Sequence, residues 1–415
     1  MTFNVTQHSR RQTNGAFSGK IEEKVLGYFI AGLLNKIRFG SLSITLPDGS
    51  RIESKRYDPE LHANIIIRNS SALRKLMLGG SIGFSESYIN GCWSSPDLAK
   101  LIEILALNGE TLAGGLMGSP PMRLSNYLRH RFRRNSRRGS KSNIRYHYDL
   151  GNDFYARWLD QDMIYSSAIF SRGEDNLEQA QRRKLERIVE LLDISQQHNV
   201  LEIGCGWGAL TRYIAERKNA RVHGITLSKE QLNYAQRAVR ESENGSLISL
   251  EFTDYRDVEE TYDRIVSIEM IEAVGEEFLP DYFKTIKDRL RPGGRAVIQA
   301  ITIDEERFDR YRSSPDFIQK YIFPGGFLTT KTMMRRYADH AGLDLGHTEF
   351  FGKSYARTLN EWRARFMTNW AEISQLGYSD QFRNMWDFYL AYCEGGFNAG
   401  SIDVGLYVLT RQNND

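Results

Sequence analysis

Residues 200–210 read Val-Leu-Glu-Ile-Gly-Cys-Gly-Trp-Gly-Ala-Leu, an apolar run followed by three glycines at alternate positions. The run Asn199–Ile203 predicts a buried parallel strand, because Glu202 is its only charge. An amphipathic helix is predicted directly afterwards, over residues 210–218. Glycines in the intervening turn leave room for a ligand to approach main-chain N–H groups. Such a strand, turn and helix predict a nucleotide site at the carboxyl end of the first strand of a doubly wound sheet.

The spacing of these glycines separates two classes of nucleotide site. The order is Gly-x-Gly-x-Gly at Gly204, Gly206 and Gly208, not the Gly-x-Gly-x-x-Gly of dinucleotide-binding folds. With an acidic residue just ahead of it, the loop resembles the S-adenosylmethionine loop of class I methyltransferases. A glycine triplet alone is also what a tight strand-to-helix turn requires, so the rest of the chain has to decide between the two interpretations.

Length and composition bound the fold and exclude several classes of protein. A chain of 415 residues predicts two domains, because single cores rarely grow beyond about 250–300 residues. No apolar run reaches the ~20 residues that cross a bilayer, and the polar start lacks a secretory signal, so a cytoplasmic protein is predicted. The three cysteines are far apart, which predicts a reducing compartment, and no Cys/His spacing predicts a metal site.

Strand and helix patterns divide the chain into two unlike parts. Residues 1–122 predict a small α+β unit with a hairpin at residues 47–50, where Asp-Gly lies between alternating apolar runs. Residues 146–415 alternate strands with helices, the pattern of a parallel sheet with right-handed crossovers. The run at residues 402–410 predicts a closing strand, antiparallel and at the edge of that sheet.

The segment between the two parts, residues 123–145, is strongly basic. No acidic residue occurs between Glu110 and Asp149, although the net charge of the whole chain is only +3. Arginines among apolar residues can lie on an anionic membrane surface, each cation contributing about 1 kcal/mol near the lipid. A solvated linker and a nucleic-acid contact are the alternatives. No stacking or groove-reading module accompanies the segment, which argues against nucleic acid.

Further motifs recur in register with the glycine loop. They are YHYDLGNDF at residues 146–154, MIYSSA at 163–168, GITLS at 224–228, DYRD at 254–257, EAVG at 272–275 and YIFPGG at 321–326. In this order and spacing the chain resembles the cyclopropane-fatty-acyl-phospholipid synthase family, which includes the mycolic acid cyclopropane synthases. The resemblance implies an α/β class I methyltransferase fold, with a Rossmann-like, mostly parallel seven-stranded sheet, and a smaller N-terminal α+β lipid-handling domain.

The resemblance also implies S-adenosylmethionine as the methyl donor and assigns residues to its site. Tyr165 and Ser166 would contact the methionine part, and Thr226 and Gln231 the ribose and adenine region. Thr226 stands where most class I methyltransferases carry an acid. The cofactor-binding residues expected from the resemblance are Tyr165, Ser166, Gly204, Cys205, Gly206, Thr226, Leu227, Gln231, Tyr255, Arg256 and Glu269.

Members of this family methylenate a cis double bond in a phospholipid acyl chain, and that chemistry needs a base. The alkene π electrons attack the sulfonium methyl, a carbocation forms on the acyl chain, and a proton must then leave. In the family the base is a bound bicarbonate, held by a Cys, a Glu, a His and a Tyr with an Ile backbone group. Glu272, Tyr355 and Ile301 match three of those positions, but Ser167 replaces the cysteine and Gln299 the histidine.

These two replacements leave bicarbonate binding and the product open. The expected catalytic residues are Glu272, Tyr355, Ser167, Gln299 and, from a match near the end of the chain, Cys393. We expect a cyclopropane acyl chain, formed when the base takes a proton from the transferred methyl. A relocated base would instead take it from a neighbouring chain carbon and leave a methyl-branched alkene. A methylene-bearing chain is the other form of this alternative product. A non-catalytic lipid-binding protein is the third hypothesis.

A membrane lipid as substrate changes the interpretation of the basic segment, since a membrane contact then explains it better than a linker does. We therefore expect a cytoplasmic protein that binds the inner face of the membrane peripherally through residues 123–145. Its expected partners are an unsaturated phospholipid and the anionic membrane surface, and not nucleic acid. A homodimer is left open by the sequence.

Overall fold

The computed structural model describes residues 27–28, 30–69, 71–116, 150–171 and 175–413, so the basic segment 123–145 lies outside the described residues. The N-terminal unit comprises β1 Ser41–Thr45, β2 Arg51–Glu53, β3 His62–Ile67, α1 Ser71–Ile89, β4 Trp93–Ser94, α2 Leu98–Leu107 and α3 Gly109–Leu116. Its strands form one sheet in the order β2-β1-β3-β4. The predicted hairpin is confirmed, because β1 and β2 are antiparallel and the Leu46 N–H donates to the Ser50 carbonyl at 2.8 Å.

A second sheet of seven strands forms the larger domain. The strands are β5 Asn199–Ile203, β6 Arg221–Thr226, β7 Ile248–Phe252, β8 Tyr262–Ile268, β9 Leu290–Ile303, β10 Asp344–Phe350 and β11 Ile402–Thr410. Their order is β10-β11-β9-β8-β5-β6-β7, and the five strands from β9 to β7 are parallel, as predicted. The predicted closing strand β11 is antiparallel to β9. Its predicted place at the edge is wrong, because β10, a polar strand that the sequence pattern did not indicate, pairs with its other side.

Ten helices accompany this sheet in the described part of the larger domain, and some of them pack against its two faces. They are α4 Asn152–Ala156, α5 Leu177–Leu192, α6 Ala209–Lys218, α7 Lys229–Arg240, α8 Leu279–Arg289, α9 Glu305–Ser313, α10 Lys331–His340, α11 Gly352–Thr368, α12 Trp370–Gln375 and α13 Asp380–Asn398. Successive strand residues point to opposite faces. Val266 and Val297 accordingly join one core with α5 and α6, whereas Ile265 and Ile298 join another with α8 and α10.

A third core joins the N-terminal unit to the C-terminal helices. It contains residues of α2 together with Trp362 of α11 and Trp386 of α13. A Cβ on Gly395 of α13 would lie 2.7 Å from the Ala99 carbonyl oxygen of α2, so this close helix crossing requires glycine. Polar contacts support the junction, because the Tyr88 hydroxyl donates to Asp387. Among the described residues, no helix is long and apolar enough to span a bilayer.

Candidate active site

The glycine loop takes the backbone from β5 into α6 through left-handed conformations. The φ angles of Gly204, Gly206 and Gly208 are 84°, 54° and 84°, a region that L side chains rarely adopt. A Cβ on Gly208 would lie 3.0 Å from the Ala235 Cβ, so packing against Ala235 also requires a residue without a side chain at this position. The result is a main-chain cradle at the carboxyl end of β5, which lies between the parallel strands β6 and β8 at the point where the strand order of the sheet reverses.

A cavity of about 170 Å³ opens at this cradle; we call it the glycine-loop cavity. Ten of the eleven expected cofactor residues line it: Tyr165, Ser166, Gly204, Cys205, Gly206, Thr226, Leu227, Gln231, Tyr255 and Glu269. Thr226 and Gln231 are joined by a 3.1 Å hydrogen bond between their side chains. Arg256 is not part of the wall. Its guanidinium instead makes two hydrogen bonds to the Asp254 carboxylate, at 2.8 and 2.7 Å.

A second cavity of about 530 Å³, which we call the large cavity, lies between the N-terminal unit and the larger domain. Its walls are mostly apolar and come from both units, for example Ile102 and Leu105 of α2 and Ile301 and Ile303 of β9. Cavities of about 300–1,000 Å³ with apolar walls are the usual size of small-molecule sites. Tyr165, Glu269 and Ala273 line both cavities, so the two meet at these side chains.

The Glu269 carboxylate is the centre of the polar contacts at this junction. It accepts hydrogen bonds from the Ser167 N–H at 2.8 Å, the Gln299 amide at 2.7 Å and the Tyr355 hydroxyl at 2.6 Å. Glu269 has a φ of 47°, which turns the chain sharply at the end of β8. The sequence assigned Glu269 to the cofactor, and the structure places it both in the wall of the glycine-loop cavity and in contact with three of the expected catalytic residues.

Glu272 is the second carboxyl group at the junction and lies in the wall of the large cavity. Its Oε1 accepts a 2.6 Å hydrogen bond from the Ile301 N–H, whereas its buried Oε2 has no partner among the described residues. Burial, and the nearby charge of Glu269, raise the pKa of Glu272 to about 8. Glu272 is therefore protonated at neutral pH.

The two carboxyl groups thus differ in charge. Burial also raises the pKa of Glu269, but the hydrogen bonds from Tyr355 and Ser167 and the charge of Lys184 oppose that rise. Since three donors favour the ionised form of Glu269 and a single donor meets Glu272, Glu269 carries the negative charge of the pair. Two carboxyl groups whose environments push their pKa values apart are typical of an acid–base site.

Glu202, the acidic residue ahead of the glycine loop, and Lys184, which was not singled out in the sequence, also belong to the site. Both are buried and line the glycine-loop cavity. Lys184 donates to the Ser166 hydroxyl at 2.7 Å. Burial lowers the pKa of Lys184 to about 8, although the negative charge of Glu269 acts to raise it. Burial raises the pKa of Glu202 to about 8. One signal could have revealed Lys184, because it lies on the apolar face of α5 at helical spacing from Leu177, Gln181 and Ile188.

The other expected catalytic residues have different surroundings. Ser167 and Gln299 are completely buried behind Glu269 and line neither cavity. The Ser167 hydroxyl donates to the Ala168 carbonyl, so Ser167 meets Glu269 through its main chain alone. Cys393 lines the large cavity, and burial raises the pKa of its thiol, which therefore stays neutral. Tyr355 lines the same cavity and stacks on Phe397, with ring centroids 4.5 Å apart.

The donors expected to hold bicarbonate are already engaged by protein carboxyl groups. The Tyr355 hydroxyl and the Gln299 amide donate to Glu269, and the Ile301 N–H donates to Glu272. A second anion beside the Glu269 carboxylate would meet like-charge repulsion in a buried site. With these donors engaged, the residues present do not fit bicarbonate.

Comparisons with known proteins identify the family of this chain. Residues 135–406 match the family described as mycolic acid cyclopropane synthetase. The chain is 38% identical to the tuberculostearic acid methyltransferase UfaA1 of Mycobacterium tuberculosis, over 86% of this chain and 84% of the relative. It is 34% identical to the cyclopropane-fatty-acyl-phospholipid synthase of Escherichia coli, over 84% of this chain and 88% of the relative.

A solved structure shares the fold of the larger domain. The mycolic acid cyclopropane synthase CmaA1, crystallised with SAH and CTAB, superposes with a TM-score of 0.62 at 30% identity. The superposition covers 65% of this chain and 98% of CmaA1.

Proposed function

This chain belongs to the mycolic acid cyclopropane synthetase family, and we propose that it methylates the cis double bond of an unsaturated phospholipid chain with Glu269 as the base. It is an S-adenosylmethionine-dependent methyltransferase that acts on unsaturated fatty acyl chains. One observation carries the finer proposal. The Glu269 carboxylate, held by three donors, lies where the glycine-loop cavity meets the large cavity.

The glycine-loop cavity fits S-adenosylmethionine, which supplies an electrophilic methyl group on a sulfonium. Nothing lies within 4 Å of the place that a Cβ on Gly206 would take, so a ligand can approach the main chain there. Thr226 and Gln231 offer polar atoms at one end, and Tyr165 closes the other end at the junction. The ring of Tyr165 and the Glu269 carboxylate favour a cationic group at that end.

The large cavity would hold the acyl chain, with its double bond beside the junction. The alkene π electrons form a bond to the methyl carbon as the carbon–sulfur bond breaks, which leaves a carbocation on the other alkene carbon. Tyr165 and Tyr389 both line the cavity, and their hydroxyls are 2.7 Å apart. Their rings can stabilise the cation, and the apolar walls exclude the water that would otherwise trap it.

In this proposal Glu269 takes the proton from a chain carbon next to the cation. The electrons of that C–H bond form a new double bond, and the product is a methyl-branched alkene. The Glu269 carboxylate at the end of β8 accepts hydrogen bonds from the donors that would otherwise meet a bound anion, which supports a relocated base. The relative UfaA1, which is named a tuberculostearic acid methyltransferase, supports a methylated product.

Ring closure is the second candidate and is the product that the sequence favoured. Glu272, Tyr355 and Ile301 remain at family positions, and the similarity to the Escherichia coli cyclopropane synthase supports it. In that case the same carboxylate would take the proton from the transferred methyl, and the acyl chain would end as a saturated ring.

Product analysis tests the proposal. The enzyme is incubated with a cis-unsaturated phospholipid and S-adenosylmethionine carrying a trideuterated methyl, and the fatty esters are analysed by mass spectrometry before and after mild hydrogenation. We expect all three deuterium atoms to be retained and one double bond to be hydrogenated. Two deuterium atoms with no reducible bond would establish the ring instead, and no transfer would refute both candidates.

We further propose that residues 123–145 hold the enzyme on the anionic inner face of the membrane. Nine lysines and arginines without an acidic residue support this part. Replacing Arg131, Arg134 and Arg138 by Glu should weaken cosedimentation with phosphatidylglycerol vesicles and lower activity on them. Activity on detergent-dispersed lipid should stay unchanged. Vesicle binding equal to that of the wild type would contradict the assignment.

A further inference from the structure

Lys184 is a buried cation that makes no ion pair with the described residues. It lies on α5, is 1% exposed and lines the glycine-loop cavity. Its Nζ donates one hydrogen bond, to the Ser166 hydroxyl at 2.7 Å, and no carboxylate in the described part of the chain contacts it. The pKa of Lys184, lowered by burial to about 8, still leaves the ammonium charged at neutral pH. A buried charge is costly unless an opposite charge contacts it, so this lysine favours an anionic ligand.

The carboxyl groups nearest to Lys184 have other hydrogen-bond partners. Glu269, Asp160 and Glu202 are close enough to influence the pKa of the lysine. The Glu269 carboxylate is held by its three donors, Asp160 accepts a main-chain N–H at 2.7 Å, and Glu202 accepts the Thr211 hydroxyl. An ammonium has three N–H donors, and Ser166 uses one of them. Two donors of Lys184 are therefore available to a ligand.

Ser166 adds a second kind of donor beside this ammonium. Its hydroxyl accepts from Lys184, and its own proton has no acceptor among the residues that the structure describes. The Ser166 carbonyl accepts from the Gln181 amide at 2.9 Å, and Gln181 and Lys184 are three residues apart on α5, so one helix face fixes the serine. Both Ser166 and Lys184 line the glycine-loop cavity. An ammonium and a hydroxyl 2.7 Å apart match the two oxygens of a carboxylate.

We propose that Lys184 and Ser166 bind the carboxylate of the methionine part of S-adenosylmethionine. The inference rests on the proposed function, in which the glycine-loop cavity holds this cofactor. The carboxylate is the one anionic group of the cofactor, whose sulfonium and amine are both cationic. The family resemblance assigned Ser166 to the methionine part but gave no residue that balances this negative charge. Lys184 balances it, and the bound carboxylate in turn supplies the opposite charge that the buried lysine lacks.

Calorimetric binding tests this proposal without turnover. The two ligands are S-adenosylmethionine and decarboxylated S-adenosylmethionine, which keeps the sulfonium and the amine. The wild type should bind S-adenosylmethionine about 10–100-fold more tightly, since hydrogen bonds to a charged group are lost with the carboxylate. Lys184→Met should weaken S-adenosylmethionine binding by about the same factor. It should bind the decarboxylated ligand as tightly as the wild type or more tightly, because a cation near a cationic ligand has been removed. Equal losses for both ligands would overturn the proposal.

Thermal midpoints and matched variants separate carboxylate binding from folding. Removal of an unpaired buried charge should leave the midpoint of ligand-free K184M equal to that of the wild type or higher, whereas a purely structural lysine would lower it. Arg182→Met is the control, because Arg182 lies on the same helix, is exposed, pairs with Glu186 at 3.7 Å and does not line the cavity. It should change neither affinity. Ser166→Ala should weaken S-adenosylmethionine binding about 3–10-fold and spare the decarboxylated ligand, so it tests the pair even if K184M does not fold.

The same measurements distinguish failure of this site from failure of the proposed function. A wild type that binds no S-adenosylmethionine, or whose affinity is unchanged by Gly208→Val in the glycine loop, refutes the placement of the cofactor in the glycine-loop cavity. A wild type that binds S-adenosylmethionine and its decarboxylated form equally tightly refutes only the carboxylate site. A preference for the carboxylate that K184M abolishes and R182M retains establishes it.

Discussion

The two cavities of this protein are built in different ways. The glycine-loop cavity is formed by residues between Ile164 and Ala273, mostly where the strands β5, β6 and β8 end. The large cavity takes residues from Ser81 in the N-terminal unit to Ile402 at the start of β11. One cavity is therefore a property of a single sheet and its turns, and the other exists only once two units have packed together.

This difference explains which cavity a sequence motif can reveal. A turn between a strand and a helix needs particular residues at fixed spacing, because its backbone takes left-handed conformations. The wall of an apolar cavity needs only side chains of suitable size, and many sequences supply them. Glu269 lies where both kinds of wall meet. Substitutions on either side of it can therefore separate cofactor binding from acyl-chain binding.

The largest effect should come from Glu269→Gln. The amide keeps the shape of the side chain but cannot accept a proton, so we expect kcat to fall by about 10²–10⁴-fold. Binding of S-adenosylmethionine, measured by calorimetry, should change by less than about tenfold, because the glycine loop stays intact. If the variant retained full turnover, Glu269 would not be the base.

A second consequence concerns bicarbonate. Activity of the wild type in carbonate-free buffer should equal that in buffer with added bicarbonate, because Glu269 and Glu272 engage the donors that would hold it. The smaller variant Glu269→Ala should recover part of its turnover when bicarbonate or formate is added. A wild type that needs bicarbonate would show that the carboxylates move aside during turnover.

An intermediate effect is expected for Gly208→Val on the glycine-loop side. A valine at a φ of 84°, with its Cβ 3.0 Å from that of Ala235, must distort the loop, and the dissociation constant for S-adenosylmethionine should rise about 10–100-fold. Gly377→Val is the control, since Gly377 has a φ of 96° but nothing within 4 Å of its Cβ position. It should lower the thermal midpoint and leave cofactor affinity alone.

A smaller effect is expected for Leu105→Trp in the large cavity, which should impair acyl-chain binding and leave cofactor binding unchanged. The indole would fill part of the large cavity, so kcat/KM for long-chain lipids should fall about tenfold while cofactor affinity stays the same. Leu107→Trp provides a control on the same helix, because Leu107 does not line the cavity. Loss of cofactor affinity in L105W would mean that the two cavities are not independent.

The smallest effect concerns stability, through Glu272→Gln. The folded pKa of Glu272, about 8, is above its ordinary value of 4.5, so its contribution to stability is complete below pH 4.5 and is lost as the pH rises towards 8. The glutamine variant lacks this titration. Relative to the wild type, it should gain at least about 1 kcal/mol between pH 5 and pH 8 in denaturant unfolding. Replacing the exposed Glu259 by glutamine should produce no such pH-dependent gain.

Much of the cofactor site could be predicted because its residues follow strand ends. Ten of the eleven expected residues line one cavity, and the exception, Arg256, pairs with the acid two residues before it. The sequence did not predict Lys184 as a site residue, because a lysine in an amphipathic helix is usually solvated. Tertiary packing buries this lysine. The contacts of Glu269 could not be predicted, since its partners Gln299 and Tyr355 come from distant parts of the chain.

The sequence by itself determined the parallel sheet, the glycine loop, the methyl donor and the family, because those depend on local spacing and backbone conformation. It could not give the place of β10 at the sheet edge or the packing of α11 and α13 against α2. Only the tertiary structure brought Glu269 to the donors of the expected anion site and left Glu272 protonated beside it. Burial and distant hydrogen-bond partners set the charge of a carboxyl group, and neither can be predicted from the residues next to it in the sequence.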